Sequence, residues 1–372
     1  MIYMDNAAPS WPKPRGVRIA INEALDNAGN PGRGTHSYAV WSSMKLSEVR
    51  EKLAKLFHIR NPQRIAFTMN ATHALNIAVN LCYGQIVTTA MDHNSVLRPA
   101  AARGYYYVAY ADSKGHIDND RIKRSITELT GAVIMTHASN VTGEVYDIAD
   151  IGEYCRKRGI LFIVDCAQSA GVVPIDVEKM HIDVLCFTGH KGLFGIQGTG
   201  GIYIAEHVRI RPYMSGGTGS HSTMLKQPAI MPDCFEAGTV NTHGVAALGA
   251  GIDYIRSIGV DKIQDMHTEL WRYFTDKARS LNGVTVYGPD SCPEGEYNTG
   301  VISLNVNGRE PGEVSMLLGK EGVCVRGGYH CAPLAHKALG SDKLGGTVRF
   351  SLSHLNTRSE IDEAIYALKS VK

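Results

Sequence analysis

The chain has 372 residues, 44% of them apolar and 20% charged, with a formal net charge of +2. This is more chain than one hydrophobic core usually serves, so two domains are expected, and the scattered, nearly balanced charge offers no footprint for nucleic acid or an acidic membrane. No apolar run approaches the ~18 residues of a membrane span, the opening Met1-Ile2-Tyr3-Met4-Asp5 lacks a signal-peptide pattern, and the eight cysteines form neither a C-x-x-C nor a zinc-like cluster with histidine. A soluble protein of the reducing cytoplasm, without a metal site, is the expectation.

Residues 1–14 contain Asp5-Asn6-Ala7-Ala8-Pro9 and three prolines, an extended segment and turn. Residues 15–28 read as a helix with Val17, Ile21, Ala24 and Leu25 on one side. Ser43 to His58 repeats Met44, Leu46, Val49, Leu53, Leu56 and Phe57 at helical spacing. A β-α alternation follows. Strands are expected at Ile65–Thr68, Ile86–Ala90, Tyr105–Ala109, Ala132–Thr136, Ile160–Asp165, Val184–Phe187 and Gly201–Ile204. Helices fall between them at Ala74–Leu81, Val96–Arg103, Asp118–Leu129 and Ile148–Arg158. All-apolar strands in repeated β-α units imply a mostly parallel sheet covered on both faces. Residues 211–243 show no period and are rich in Gly, Ser, Thr and Pro, which in so long a stretch points to function or to a packed partner. Helices are expected again at Ala246–Arg256 and Val260–Leu281. Strands at Val284–Tyr287, Val301–Val306, Val323–Arg326 and Thr347–Leu352 and a helix at Ser359–Ser370 then form a compact α+β unit.

The chemistry centres on Ala132–Tyr203. Asp165 closes the apolar run Ile160-Leu161-Phe162-Ile163-Val164, and Lys191 lies in Phe187-Thr188-Gly189-His190-Lys191-Gly192. An acid at a strand end and a lysine in a later glycine-rich loop suit pyridoxal phosphate: the lysine forms a Schiff base with the aldehyde and the acid keeps the ring nitrogen protonated. Thr72, His93, Asn140, Asp165 and Lys191 all lie at or just after strand ends, where α/β sheets gather ligands, so one cleft is expected to collect them. The helix start at Asn70-Ala71-Thr72-His73 suits a phosphate, although many α/β loops look alike.

Nine motifs in one order carry a resemblance. They are Asp5-Asn6-Ala7-Ala8, Asn70-Ala71-Thr72, Asp92-His93, Ser139-Asn140-Val141-Thr142-Gly143, Val164-Asp165-Cys166-Ala167-Gln168-Ser169, Gly189-His190-Lys191, Phe235-Glu236-Ala237-Gly238-Thr239, Arg326-Gly327-Gly328-Tyr329-His330-Cys331-Ala332 and Val348-Arg349-Phe350-Ser351. With them the sequence resembles the class V (NifS/Csd-type) branch of pyridoxal-phosphate enzymes, closest to cysteine desulfurases and selenocysteine lyases. The resemblance implies the type I transferase fold. A large domain, 15–255, would hold a mostly parallel seven-stranded sheet flanked by helices, and a smaller α+β domain, 256–372, would follow it, the two joined by the N-terminal segment 1–14.

The resemblance also implies roles. Lys191 would be the Schiff-base lysine and proton shuttle, Asp165 the partner of the ring nitrogen, Gln168 the donor to the ring oxygen, and His93 the group stacked on the ring. Thr72, Thr188 and His190, with the backbone at Ala71 and Thr72, would bind the phosphate. Thr239 would reach the phosphate of a neighbouring subunit in a homodimer with shared sites. Asn140, Arg349 and Arg326 would hold the substrate; a guanidinium pairs bidentately with a carboxylate. Cys331 would attack the sulfur of L-cysteine, release alanine and pass a persulfide to a thiol or an acceptor protein, its thiolate favoured by Arg326 and His330. The short-loop desulfurase pattern is Arg-x-Gly-His-His-Cys-Ala; here Tyr329 replaces the first histidine. Selenocysteine lysis, or another class V reaction on a small amino acid, is the alternative on the same scaffold. A non-catalytic, cofactor-binding regulatory protein is the alternative from another class.

Overall fold

The apolar runs pair as expected, and each side of them finds a partner layer. In the computed structural model, which describes residues 1–32 and 34–371, the chain begins with the short strand β1 (Ile2–Tyr3) and helices α1 (Arg15–Asn27) and α2 (Ser37–Leu56). It continues through β2 (Ile65–Thr68), α3 (Ala71–Leu81), β3 (Gln85–Thr89), α4 (Asn94–Arg103), β4 (Tyr106–Ala109), α5 (Asn119–Ser125), β5 (Thr130–Thr136), α6 (Ile148–Arg158), β6 (Leu161–Asp165), β7 (Val184–Thr188) and β8 (Gly200–Ile204). After a long loop come α7 (Thr242–Ile258), α8 (Val260–Arg279), β9 (Val284–Tyr287), β10 (Val301–Val306), α9 (Pro311–Lys320), β11 (Val323–Cys324), β12 (Arg326–Gly328), α10 (Pro333–Ala338), β13 (Thr347–Ser351) and α11 (Arg358–Ser370).

Seven strands form one sheet in the order β2-β8-β7-β6-β5-β3-β4. Only β8 runs against its neighbours, pairing antiparallel with β7 and with β2. The period of two in each strand sorts side chains to the two faces. Val133, Met135, Phe162, Val164, Leu185 and Phe187 join α2, α6 and α7 in one cluster, while Ala132, Ile134, Ile163, Val184 and Cys186 join α3 and α4 in another. This is why these strands read as unbroken apolar runs. A second sheet, β12-β13-β10-β9, is covered by α8 and α11 over a separate cluster that takes in Ile2 and Met4 from the N-terminal segment. Among the described residues no helix is long and apolar enough to cross a membrane.

Several expectations shift. Helix α2 starts at Ser37, capped by His36, whose Nδ1 accepts from Ala39 N. Leu25 and Met44, expected on core faces, are exposed, because α1 buries Val17 and Ala24 and α2 buries Leu46, Val49 and Leu53. The strand expected at Val323–Arg326 divides: β11 pairs with β1 and β12 with β13. Helices α9 and α10, for which the sequence reading held no element, start at Pro311 and Pro333, where the missing N–H costs nothing. The long loop before α7 is held at Glu236, which accepts from Phe67 N at 2.7 Å on the edge strand β2 and takes both carboxylate oxygens to Arg50.

Candidate active site

Asp165 ends β6 and is 4% exposed, its carboxylate accepting from Ala167 N at 2.9 Å. Burial pushes its pKa up, and the Ala167 N–H and the Lys191 ammonium pull it back. A buried carboxylate with so few donors is a natural partner for a cationic ring nitrogen.

Lys191 follows β7 on a turn that only glycine can make. A Cβ on Gly189 would come 2.2 Å from Thr199 Oγ1, and one on Gly192 would come 2.5 Å from Ala170 O. The turn closes with Gly195 N donating to Gly189 O at 2.7 Å and Phe194 N to Lys191 O at 2.9 Å. Burial lowers the Lys191 ammonium from 10.5 to about 8; Asp165 opposes the shift, and Arg349 and Arg326 add to it. A lysine so placed is a ready nucleophile for an aldehyde near neutral pH.

Beside this pair the first turn of α3 faces the cleft, with Asn70 capping it by accepting from His73 N at 2.9 Å. The free N–H groups of Ala71 and Thr72 lie at that helix start, where an anion is favoured. Thr72 Oγ1 meets Ser95 Oγ at 2.7 Å, and Thr188 Oγ1 meets His190 Nδ1 at 2.9 Å. These residues, with His93, Asp165, Gln168 and Lys191, line a cavity of about 230 Å³. His93 caps α4, its Nδ1 accepting from Ser95 N at 3.0 Å, so a neutral ring carries its proton on Nε2. Burial, then Lys191 and the nearby arginines, lower its pKa to about 4. Gln168 Nε2 donates to Ala7 O at 3.2 Å.

An adjoining cavity of about 260 Å³ shares His93, Asn140, Gln168, His190 and Lys191 and adds Arg326 and Arg349. Arg349 is 1% exposed on β13. Its Nη2 pairs with Asp5 Oδ1 at 3.1 Å and its Nη1 donates to Asn140 O at 3.2 Å, while Nε has no partner among the described residues. Arg326 lies directly opposite Arg349 in the β12–β13 register and makes no ion pair among the described residues. Two facing guanidiniums and one carboxylate leave an excess of positive charge, which an anionic substrate group would balance.

Cys331 is exposed and follows directly on His330, which lines this cavity. His330 and Cys331 turn through φ +49 and +59. Their main chain is tied by Asn140 Nδ2 donating to His330 O at 2.7 Å and Asn94 N donating to Cys331 O at 2.7 Å. His330 Nε2 donates to Thr347 O at 3.0 Å, which fixes its tautomer and leaves Nδ1 without a partner among the described residues. Burial, then Arg349, lower the His330 pKa to about 2. The expectation that His330 favours a thiolate by its charge is therefore corrected: the ring is neutral, and of the two residues named for that role only Arg326 is a cation.

The fold thus brings Ala71, Thr72, His93, Asn140, Asp165, Gln168, Thr188, His190, Lys191, Arg326 and Arg349 to one cleft. Thr239 is exposed on the long loop and does not line it. Asp5, Ser95 and Gln197 also belong to the site. Of these, Asp5 left a sequence signal as the first residue of the motif Asp5-Asn6-Ala7-Ala8, whereas Ser95 and Gln197 left none that assigned them a role.

The model of the aminotransferase class-V family matches residues 2–364. The chain is similar to a probable cysteine desulfurase of Methanothermobacter thermautotrophicus, 36% identical over 97% of this chain and 92% of that protein. It is also similar to a cysteine desulfurase of Cronobacter sakazakii, 30% identical over 99% and 92%. The apo structure of a cysteine desulfurase from Thermococcus onnurineus NA1 superposes with a TM-score of 0.91 at 32% identity, covering 99% of this chain and 94% of the other. The architecture is the type I pyridoxal-phosphate fold of those enzymes.

Proposed function

The chain belongs to the class-V aminotransferase family, and from that premise we propose that it is a pyridoxal-phosphate-dependent cysteine desulfurase. The observation that carries this reading is the convergence on one cleft of a lysine shifted to about 8, a buried acid, and two facing arginines beside an exposed cysteine. The residues fit the cofactor. Lys191 would hold it covalently, Asp165 would face its ring nitrogen, Gln168 its ring oxygen and His93 its ring, and Ala71, Thr72, Thr188 and His190 would hold its phosphate. When bound it supplies an electron sink at the substrate's α-carbon.

The chain's own groups then divide the work. Arg349 presents its unpartnered Nε edge to the substrate carboxylate, with Arg326 and Asn140 beside it. Lys191 takes the α-proton and returns a proton when alanine forms. The Cys331 thiolate attacks the substrate sulfur; the carbon–sulfur bond breaks, its electron pair stays with carbon, and Cys331 keeps the sulfur as a persulfide. A thiol or an acceptor protein removes it.

We read the two sheets and their separate clusters as two domains, 15–255 and 256–372, joined by segment 1–14. Thr239, exposed and outside the lining of this cleft, suits a homodimer in which it completes the partner's phosphate site. Eight free cysteines suit a reducing cytoplasm. Selenocysteine as the substrate is the second reading on the same scaffold, with Tyr329 standing where the short-loop pattern has a histidine.

Incubating the purified protein with L-cysteine and with L-selenocysteine, and measuring alanine with sulfide or selenide, tests both. Alanine from cysteine that disappears in Cys331→Ala supports desulfuration. Alanine from selenocysteine alone, surviving in that variant, transfers the assignment to the second reading. A colourless protein that stays so after exposure to pyridoxal phosphate removes both.

A further inference from the structure

The N-terminal segment crosses the cleft and touches both of its halves. Near its start Asp5 holds Arg349, and Ala7 N donates to Ser351 Oγ at 2.9 Å. Farther on, it grips the main chain around Lys191. His190 O accepts from Ser10 N at 2.9 Å and from Lys13 Nζ at 3.1 Å. Ser10 Oγ donates to Lys191 O at 2.8 Å and itself accepts from Lys13 Nζ at 2.8 Å. The carbonyls on both sides of the Lys191 α-carbon are thus fixed. Peptide planes are rigid, so holding both carbonyls fixes φ and ψ of Lys191 and the direction in which its side chain leaves.

Lys13 carries the cost of this arrangement. It is half-buried, makes no ion pair among the described residues, and burial draws its pKa from 10.5 to about 8. A neutral donor would brace a loop without that penalty. A cation resting on main-chain oxygen pulls harder than a neutral donor, and what it pulls on is the peptide that carries the reacting lysine.

We infer that Lys13, acting through Ser10 and the His190–Lys191 carbonyls, is a positioning residue that aims the Lys191 amine. The inference rests on the desulfurase reading above. It concerns placement, so it predicts a loss in the chemical step with substrate binding intact; Arg349 and Arg326 do not depend on Lys13. Misplacing a catalytic group by a fraction of an ångström to an ångström costs on the order of tenfold to a hundredfold in rate.

The test compares wild type, Lys13→Met, Ser10→Ala and the double variant, each loaded with pyridoxal phosphate. Lys13→Met is expected to lower kcat for L-cysteine by at least about tenfold, with KM within about twofold. The visible circular dichroism of the bound cofactor should weaken, because the lysine that orients it is less fixed. The double variant should lose little beyond the worse single one, because both residues act on the same two carbonyls. In the unloaded chain, hydrogen exchange at Phe194 and Gly195, whose N–H groups close the Lys191 turn, should rise in Lys13→Met. Any one of three results overturns the inference: kcat within about twofold of wild type, a KM that rises in step with the fall in kcat, or losses that simply add in the double variant. A colourless or inactive wild type sinks the desulfurase reading and this inference with it. A coloured, active wild type matched by Lys13→Met sinks the inference alone.

Discussion

The loops that carry Lys191 and Cys331 are built on opposite principles. The lysine loop leaves a central strand and makes its close approaches at Gly189 and Gly192. Its surroundings set its chemistry, shifting the amine to about 8. The cysteine loop leaves the edge of the small sheet and turns through His330 and Cys331 in the left-handed region, at about 1 kcal/mol or more for each non-glycine residue. It holds that conformation because Asn94, Asn140 and Thr347 tie it from three sides. One loop fixes an environment; the other fixes a position and leaves its thiol open. That division suits a lysine that must stay within the cleft and a sulfur that must leave it.

The hardest blow to this contrast is Cys331→Ala. If the loop only positions the thiol, sulfide release from L-cysteine falls by at least roughly a thousandfold, while cofactor absorbance and thermal midpoint stay at wild-type values. Loss of cofactor absorbance would mean that the two loops are not independent. The lysine side is sharpened by pH. The folded-state pKa of Lys191 lies below its usual value, so the charged form is penalised in the fold at every pH below about 8. That penalty is relieved as pH rises from about 8 toward 10.5, because there the unfolded chain binds the extra proton. Unloaded wild type should therefore gain up to roughly 3 kcal/mol over that window relative to Lys191→Met, read from denaturant midpoints at each pH. Parallel pH curves for the two proteins would show that burial does not tune this amine.

Asp5→Asn probes the seam between the halves. It removes the carboxylate paired with the nearly fully buried Arg349, and should cost roughly 1–3 kcal/mol of stability. It should also lower KM for L-cysteine, because the guanidinium then has no competing anion. A raised KM would instead make Asp5 part of substrate recognition.

Sequence alone carried the large sheet and the Lys191–Asp165 pair because each is written locally. A strand buried on both faces must be apolar throughout, and a lysine turn that passes against another strand must contain glycine. What escaped is written across distance. Ser10 and Lys191 are separated by 181 positions and Asp5 and Arg349 by 344, and the segment that carries Ser10 and Lys13 has no period to interpret. Helix α9 escaped because its buried face is only Pro311, Val314 and Leu318. The neutrality of His330 escaped because a burial that cannot be seen in Tyr329-His330-Cys331 decides it.

The smallest expected effect concerns Tyr329, the one departure from the short-loop pattern. Its hydroxyl donates to Asp342 O at 2.9 Å, and its ring meets His336 edge-on at 5.5 Å. Both contacts are made to the segment between β12 and β13, and Tyr329 lines neither cavity. It is a tether of the loop base, which a phenol provides by reaching a carbonyl that an imidazole is too short to meet. Tyr329→Phe keeps the ring contact and deletes the exposed hydrogen bond, so it should cost no more than about 1 kcal/mol and leave kcat within about twofold. Tyr329→His should behave alike, with slightly faster alkylation of Cys331 as the loop loosens. If Tyr329→Phe instead lowers turnover tenfold at an unchanged thermal midpoint, the phenol takes part in the chemistry, and the cysteine loop does more than hold a thiol in place.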